Sequence, residues 1–119
     1  MKLVVTSEGD SLQSPVDPRF GRAKFFVVID TETHAVTAIQ NAVNLSATQG
    51  AGIQAGKTIV ELGVQSLITG HVGPKAFAAL QAGNVIVYTG ATRTVADAVE
   101  QLKNGQLQRA QSADVEGHH

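Results

Sequence analysis

Thr69-Gly70-His71-Val72-Gly73 places a histidine where a short apolar run gives way to a proline-led helical pattern. An imidazole at the end of a buried strand, beside a helix N-terminus, can donate to an anion or ligate a metal. Backbone N–H groups also point outward at such a junction, which is where α/β proteins bind small charged ligands. A plain polar turn histidine would look the same. Arg19, Arg22 and Lys24 form a second group, set in VDPRFGRAKFFVVID. Two guanidinium forks and an ammonium on one loop could clamp an oxyanion or a polysulfide anion. Three cations face one acid, Asp17, between Pro15 and Lys24. Phe20, between the arginines, reads as the loop's apolar anchor. The plainer alternative is a surface loop in which Asp17 pairs with Arg19.

A third candidate is AGIQAGKT, Ala51 to Thr58, which fits a loose phosphate-loop pattern. That motif needs its glycine loop directly after a buried strand, so that the backbone wraps phosphates. Here a polar stretch, NLSATQG, precedes it, and no apolar strand ending in Asp follows to hold magnesium. The competing reading packs Gly56 closely in a helix and leaves Lys57 in water. Gly50-Ala51-Gly52 with Gly56 touches a dinucleotide fingerprint and lacks the same strand. His34 falls in an expected hairpin turn, and His118 and His119 end the chain after a glycine. Asp30 and Glu61 are single carboxylates at element ends, and no Ser-His-Asp or paired-carboxylate arrangement stands out.

Composition narrows the chemistry further. The 119 residues include no cysteine, which removes disulfides, thiolate zinc sites, cysteine nucleophiles and cysteine-ligated iron–sulfur clusters together. A net charge of −1 and 4% aromatic residues argue against nucleic acid and a membrane surface as partners. The opening MKLVVTSEGD has too short an apolar run for a signal or a membrane span, so a cytoplasmic protein is expected, as a monomer.

These residues need a frame, and the chain supplies one. Lys2–Thr6 is a buried strand followed by a long polar loop to Arg22, of the kind that is usually functional or mobile. Lys24–Asp30 and Ala35–Gln40 read as a hairpin around Thr31–His34. A loop then leads to a helix over Ala51–Leu62 with Gly63 as its cap, and to a strand over Val64–Thr69. A helix over Gly73–Ala82 starts with Pro74. A strand over Val85–Tyr88 and a helix over Thr94–Lys103, closed by Asn104-Gly105, complete the order β-β-β-α-β-α-β-α. Right-handed crossovers should place the last two strands parallel to the first. The expectation is a single α/β domain over 1–105, with one mixed five-stranded sheet and flanking helices. Residues 106–119 read as a polar, flexible tail.

Two stretches together resemble a known family. Asp17-Pro18-Arg19-Phe20-Gly21-Arg22-Ala23-Lys24-Phe25-Phe26 with Ile29-Asp30 is similar to the D-x-R-F-G-R-A-x-x-F…I-D signature of the dinitrogenase iron–molybdenum cofactor biosynthesis family. Asn41 to Tyr88 resembles its remainder, through Gly50-Ala51-Gly52, Gly63-Val64, Thr69-Gly70-His71-Val72-Gly73, Ala76-Phe77, Leu80 and Val85-Ile86-Val87-Tyr88. The likeness runs over about residues 1–103. It implies a ribonuclease H-like fold without nuclease activity, since the acidic metal cluster is not visible. It also implies binding or carrying a molybdenum-containing metal–sulfur cluster, which in a stand-alone member is a molybdenum–copper sulfide held without covalent attachment. Members that carry the iron–molybdenum cofactor often offer a histidine in the second region, and His71 has that kind of position.

The leading reading is therefore a non-catalytic carrier. Arg19, Phe20, Arg22 and Lys24 would face Gly50, Ala51, Gly52, Gly70, His71, Val72 and Gly73, with His71 as the metal ligand. A nucleotide-binding protein built on AGIQAGKT, or an interaction module docking on proteins of metal assembly or cell division, are the alternatives. The leading reading requires the guanidinium-bearing segment and His71 to lie on the same side of the molecule.

Overall fold

A strand whose every residue after the first is buried must be covered on both faces, and the first strand, β1 (Lys2–Ser7), is such a strand. In the computed structural model, which describes residues 1–41 and 51–111 and only the backbone of Ala51, two apolar groups provide the cover. Val4 joins Phe26, Leu67 and Val87 on one face. Leu3 and Val5 join Val27, Ile29 and Ile68 on the other. Period-two alternation thus feeds two cores from the same strands.

The other elements are β2 (Phe25–Asp30), β3 (Val36–Gln40), α1 (Ala51–Glu61), β4 (Ser66–Ile68), α2 (Pro74–Ala82), β5 (Ile86–Thr89), α3 (Val95–Lys103) and β6 (Gln108–Arg109). The sheet order is β3-β2-β1-β4-β5-β6. β1 pairs antiparallel with β2 and parallel with β4, and β4 pairs parallel with β5. α1 and α2 cover the first face through Ala55, Ile59, Ala76, Phe77 and Leu80. α3 covers the second through Val95 and Ala98.

The mixed sheet with flanking helices is as the sequence predicts, but among the described residues it has six strands and not five. The added strand, β6, lies in the stretch expected to be a polar tail. Both its residues are exposed and polar, so no alternation announces it. Pairing on β5 creates it: Tyr88 faces Arg109, Thr89 faces Gln108, and Ala110 N–H donates to Val87 O at 2.8 Å. Leu107 and Ala110 flank the strand and pack against the two cores. Residues 112–119 fall outside the described residues.

The loop between β1 and β2 is tied down by backbone bonds. Glu8 N–H donates to Pro15 O at 2.9 Å and Val16 N–H to Arg93 O at 2.8 Å. The first turn of α3 donates back: Val95 N–H to Ser14 O and Ala96 N–H to Leu12 O, both at 2.9 Å. Thr94 closes the same end with a capping box on Asp97. The orphan donors of this helix are thus used inside the protein.

Two half-buried carboxylates also close local structure. Asp30 Oδ1 accepts from Glu32 N–H at 2.9 Å and Thr33 N–H at 3.3 Å, and these bonds hold its pKa below the ordinary value. Asp97 is lowered chiefly by the Thr94 hydroxyl, then by the Thr94 N–H. Groups with a depressed folded pKa stabilise the fold above their unfolded pKa, and that contribution disappears as pH falls through the folded value. Thr94→Ala should cost about 1 kcal/mol in urea denaturation at pH 7. It should also flatten the loss of stability between pH 5 and 2 relative to wild type; parallel acid curves would contradict the assignment.

Candidate functional site at the carboxyl edge of the sheet

The chain leaves β1 toward β2 and β3 on one side, while β4 and β5 lie on the other. The carboxyl ends of β1 and β4 therefore form a switch point, the usual place for a ligand in an open α/β sheet. In this protein the crevice is crossed by the chain's own segment, Pro15 to Phe20. Asp17 N–H donates to Thr6 O at 3.0 Å, and Thr6 Oγ1 donates to Asp17 O at 2.7 Å. Thr6 Oγ1 also lies 2.9 Å from Thr69 Oγ1, joining the ends of β1 and β4. Thr6, Asp17 and Thr69 are all buried.

Beyond this knot the segment pairs with the turn after β4. His71 N–H donates to Pro18 O at 2.7 Å, Phe20 N–H donates to His71 O at 3.3 Å, and Arg19 and His71 form an isolated parallel bridge. Gly70 permits the approach. A Cβ there would sit 2.7 Å from Pro18 Cα and 2.8 Å from Pro18 O, closer than such atoms come. Gly70 O in turn accepts from Gly90 N–H at 3.1 Å, tying the turn to β5's end.

Of the basic residues, Arg19 lies in this join, and Arg22 and Lys24 follow it along the chain toward β2. Arg19 and Lys24 are exposed, Arg22 is half-buried and His71 is exposed. Phe20 and Val72 are directed into the core, at 2% and 1% exposure, and anchor the two segments from beneath. Phe20 stacks on Phe26 with ring centroids 6.1 Å apart. Asn41 is buried and pins the Gly21–Lys24 stretch. Its Nδ2 donates to Ala23 O at 2.7 Å and its N–H to Lys24 O at 2.9 Å. Only its position just after an edge strand, opposite a glycine-bearing turn, could have signalled that role.

The helices bring their amino ends to the same edge. Gly73 caps α2 with extended backbone, and Pro74 follows at the first position. Gly52, one residue into α1, lies against Ala76, its built Cβ 3.2 Å from Ala76 Cβ. The starts of α1 and α2 are thus adjacent. Gly50 lies outside the described residues, and Ala51 is placed only as the first residue of α1.

Of the two readings of AGIQAGKT, the structure fits the packed helix and not the phosphate loop. All eight residues lie within α1, so they make no loop to wrap a phosphate. Gly56 is a packing residue whose built Cβ meets Ala79 Cβ at 3.1 Å, and Lys57 is exposed. His34, in the left-handed conformation at φ 65°, lines a separate groove of about 190 Å³ with Leu12, Ile29, Val36 and Val99. That groove shares no residue with the Arg19–His71 join. Among the described residues, no group of three or more His, Cys, Asp or Glu is placed to hold a metal ion, and no helix is long and apolar enough to cross a membrane.

Comparison with known proteins places this edge in context. The family model described as dinitrogenase iron-molybdenum cofactor matches residues 1–105. The apo form of the orange protein from Desulfovibrio gigas is similar at TM-score 0.93 and 41% identity, over 96% of each chain. A Thermotoga protein provisionally assigned as NifB is similar at TM-score 0.84 and 33% identity, over 98% of each chain. An uncharacterised protein of Methanocaldococcus jannaschii is 23% identical over 112 residues, 92% of this chain and 91% of its own.

The close approach at Gly70 yields a test that touches no charged group. Gly70→Ala should push Pro18 away, break the two bonds to His71 and cost about 1–3 kcal/mol, the usual range for forced overpacking. Amide NMR should show Arg19, Phe20 and His71 shifted while α3 is unchanged. Unperturbed shifts at Arg19 and His71 would mean the contact is not tight in solution.

Proposed function

The chain belongs to the dinitrogenase iron–molybdenum cofactor family, and on that premise we propose that it is a non-catalytic carrier of a molybdenum-containing metal–sulfide cluster. The observation that carries the reading is the Arg19–His71 bridge, which sets the basic segment and the imidazole-bearing turn side by side on the sheet's carboxyl edge. The donor set suits a particular kind of cargo. A bare metal ion wants several thiolate, imidazole or carboxylate ligands, and the chain has no cysteine. A cluster that brings its own sulfide ligands is instead a bulky anion. It can be held by guanidinium and ammonium groups and by helix-terminal N–H groups.

In this reading Arg19, Arg22 and Lys24 supply countercharge. The backbone N–H groups at the start of α1 and α2 add partial positive charge. His71 is the one protein side chain that reaches a metal of the cargo. Phe20 and Val72 hold the two segments from the core side. The cargo we favour is a molybdenum–copper sulfide, bound without a covalent link and handed on to proteins of metal assembly or cell division in the cytoplasm. The strand order and the antiparallel β2 support placing the fold in the ribonuclease H-like class, as a binding scaffold and not a nuclease.

Adding tetrathiomolybdate and copper to the metal-free protein should produce a charge-transfer band that saturates at a fixed stoichiometry. The Arg19→Ala, Arg22→Ala double variant should lose at least about tenfold in affinity, as expected when charge-assisted contacts are removed. Raising ionic strength should weaken the wild-type complex, because exposed cations are screened. Equally weak, non-saturating colour in wild type and double variant would end this reading.

A further inference from the structure

Asp17 is a buried carboxylate for which the carrier reading has given no task. Carboxylates are rarely buried unless paired, and this side chain is 2% exposed. Its backbone is fixed on both sides by Thr6, and through the Thr6 hydroxyl it is joined to Thr69. It is thus held to the ends of the two central strands. Its Oδ1 accepts from Arg19 N–H at 3.0 Å, and the same oxygen lies 3.7 Å from Arg19 Nε. The Arg19 side chain nevertheless stays 61% exposed. The side-chain contact is an ion pair, longer than a hydrogen bond, on the Nε side of the guanidinium, the side nearest the stem. A guanidinium is a planar fork with five donors, so a buried negative charge on its Nε side biases its orientation and leaves the outer Nη edge to face a ligand.

We propose that Asp17 is a positioning residue: its carboxylate, anchored to the ends of β1 and β4, holds the Arg19 guanidinium with its outer edge toward the anion bound beside His71. The proposal rests on the cluster-carrier reading for the identity of that anion. Two effects of Asp17 oppose each other. Its negative charge weakens attraction for any anion, while its grip on Arg19 removes orientational freedom that binding would otherwise have to remove. The positioning effect is larger if the fork is used bidentately, because a misdirected guanidinium loses both bonds together.

Asp17→Asn separates the two, since its amide oxygen can still accept from the Arg19 N–H while the charge is gone. Titration with tetrathiomolybdate and copper should show binding weakened about tenfold, at the low end of what outer-shell orienting groups are worth. Arg19→Ala should weaken it comparably. The Asp17→Asn, Arg19→Ala double variant should bind no more weakly than Arg19→Ala does, because the carboxylate then has nothing to orient and only its repulsion of the anion is removed. Tighter binding by Asp17→Asn, or independent additive losses in the double variant, would overturn the proposal.

Arg19→Lys asks the same question without disturbing the buried carboxylate. It keeps the charge and removes the fork, so it should bind as weakly as Arg19→Ala; wild-type affinity would overturn the proposal. A measurement without cargo keeps the two readings apart. In ¹⁵N NMR the Arg19 Nε–H should exchange with water more slowly in wild type than in Asp17→Asn. Equal exchange rates would overturn the positioning role even if the cluster binds. Slow exchange in a wild type that takes up no cluster would leave the positioning intact and remove the carrier reading alone.

Discussion

The structure depends on one short backbone pairing, the pair of hydrogen bonds between Pro18–Phe20 and His71. Each bond is worth little by itself, on the order of 1 kcal/mol net. Their effect is geometric. They join a loop that follows the first strand to a turn that follows the fourth, more than fifty positions later in the sequence. The pairing is possible because Gly70 has no side chain where Pro18 passes. It is held in place because Phe20 and Val72, flanking it, are both sunk into the core under α1 and α2. Apolar burial beneath thus fixes the position of charge above.

The electrostatic logic follows from that arrangement. The polar groups inside the crevice, Thr6, Asp17 and Thr69, are satisfied by one another and by backbone. No buried side-chain nitrogen or oxygen among the described residues lacks a partner. The usual ligand crevice of an open sheet is therefore filled from within, and the exposed groups of Arg19, Lys24 and His71 lie outside it. Such a surface suits a large anion of diffuse charge better than a small, strongly hydrated one, which needs an enclosing set of donors to replace its water.

Most elements were legible because they follow simple periods. The β2 run FFVVID, the proline at the start of α2 and the Thr94–Asp97 box each carry a local signal that tertiary structure did not override. Phe20 was readable as an anchor because an aromatic between two arginines has little other use. The failures have physical causes. β6 is two exposed polar residues whose only reason to be a strand is the open edge of β5. AGIQAGKT is not among them: it matches a pattern of residue types, but the strand that a phosphate loop needs is absent from the sequence, and Gly56 is there to let α1 and α2 approach. Val72 lies in the expected turn, yet its side chain follows the core-facing direction of the turn. The juxtaposition of Arg19 with His71 is a long-range pairing that no local period encodes; family likeness pointed to both segments, and backbone geometry joined them.

The bonds from the first turn of α3 into Leu12 and Ser14 have a consequence for synthesis of the protein. The arginine-bearing loop is made early, but two of its carbonyls are engaged only when Val95 and Ala96 have been added. Contacts of such wide sequence separation form late, because the intervening chain must first be closed. A nascent chain still inside the ribosome beyond about residue 90 has its anion-attracting side chains but not the fixed loop that aligns them. On the carrier reading, the loop is therefore fixed for its cargo only after α3 has been made.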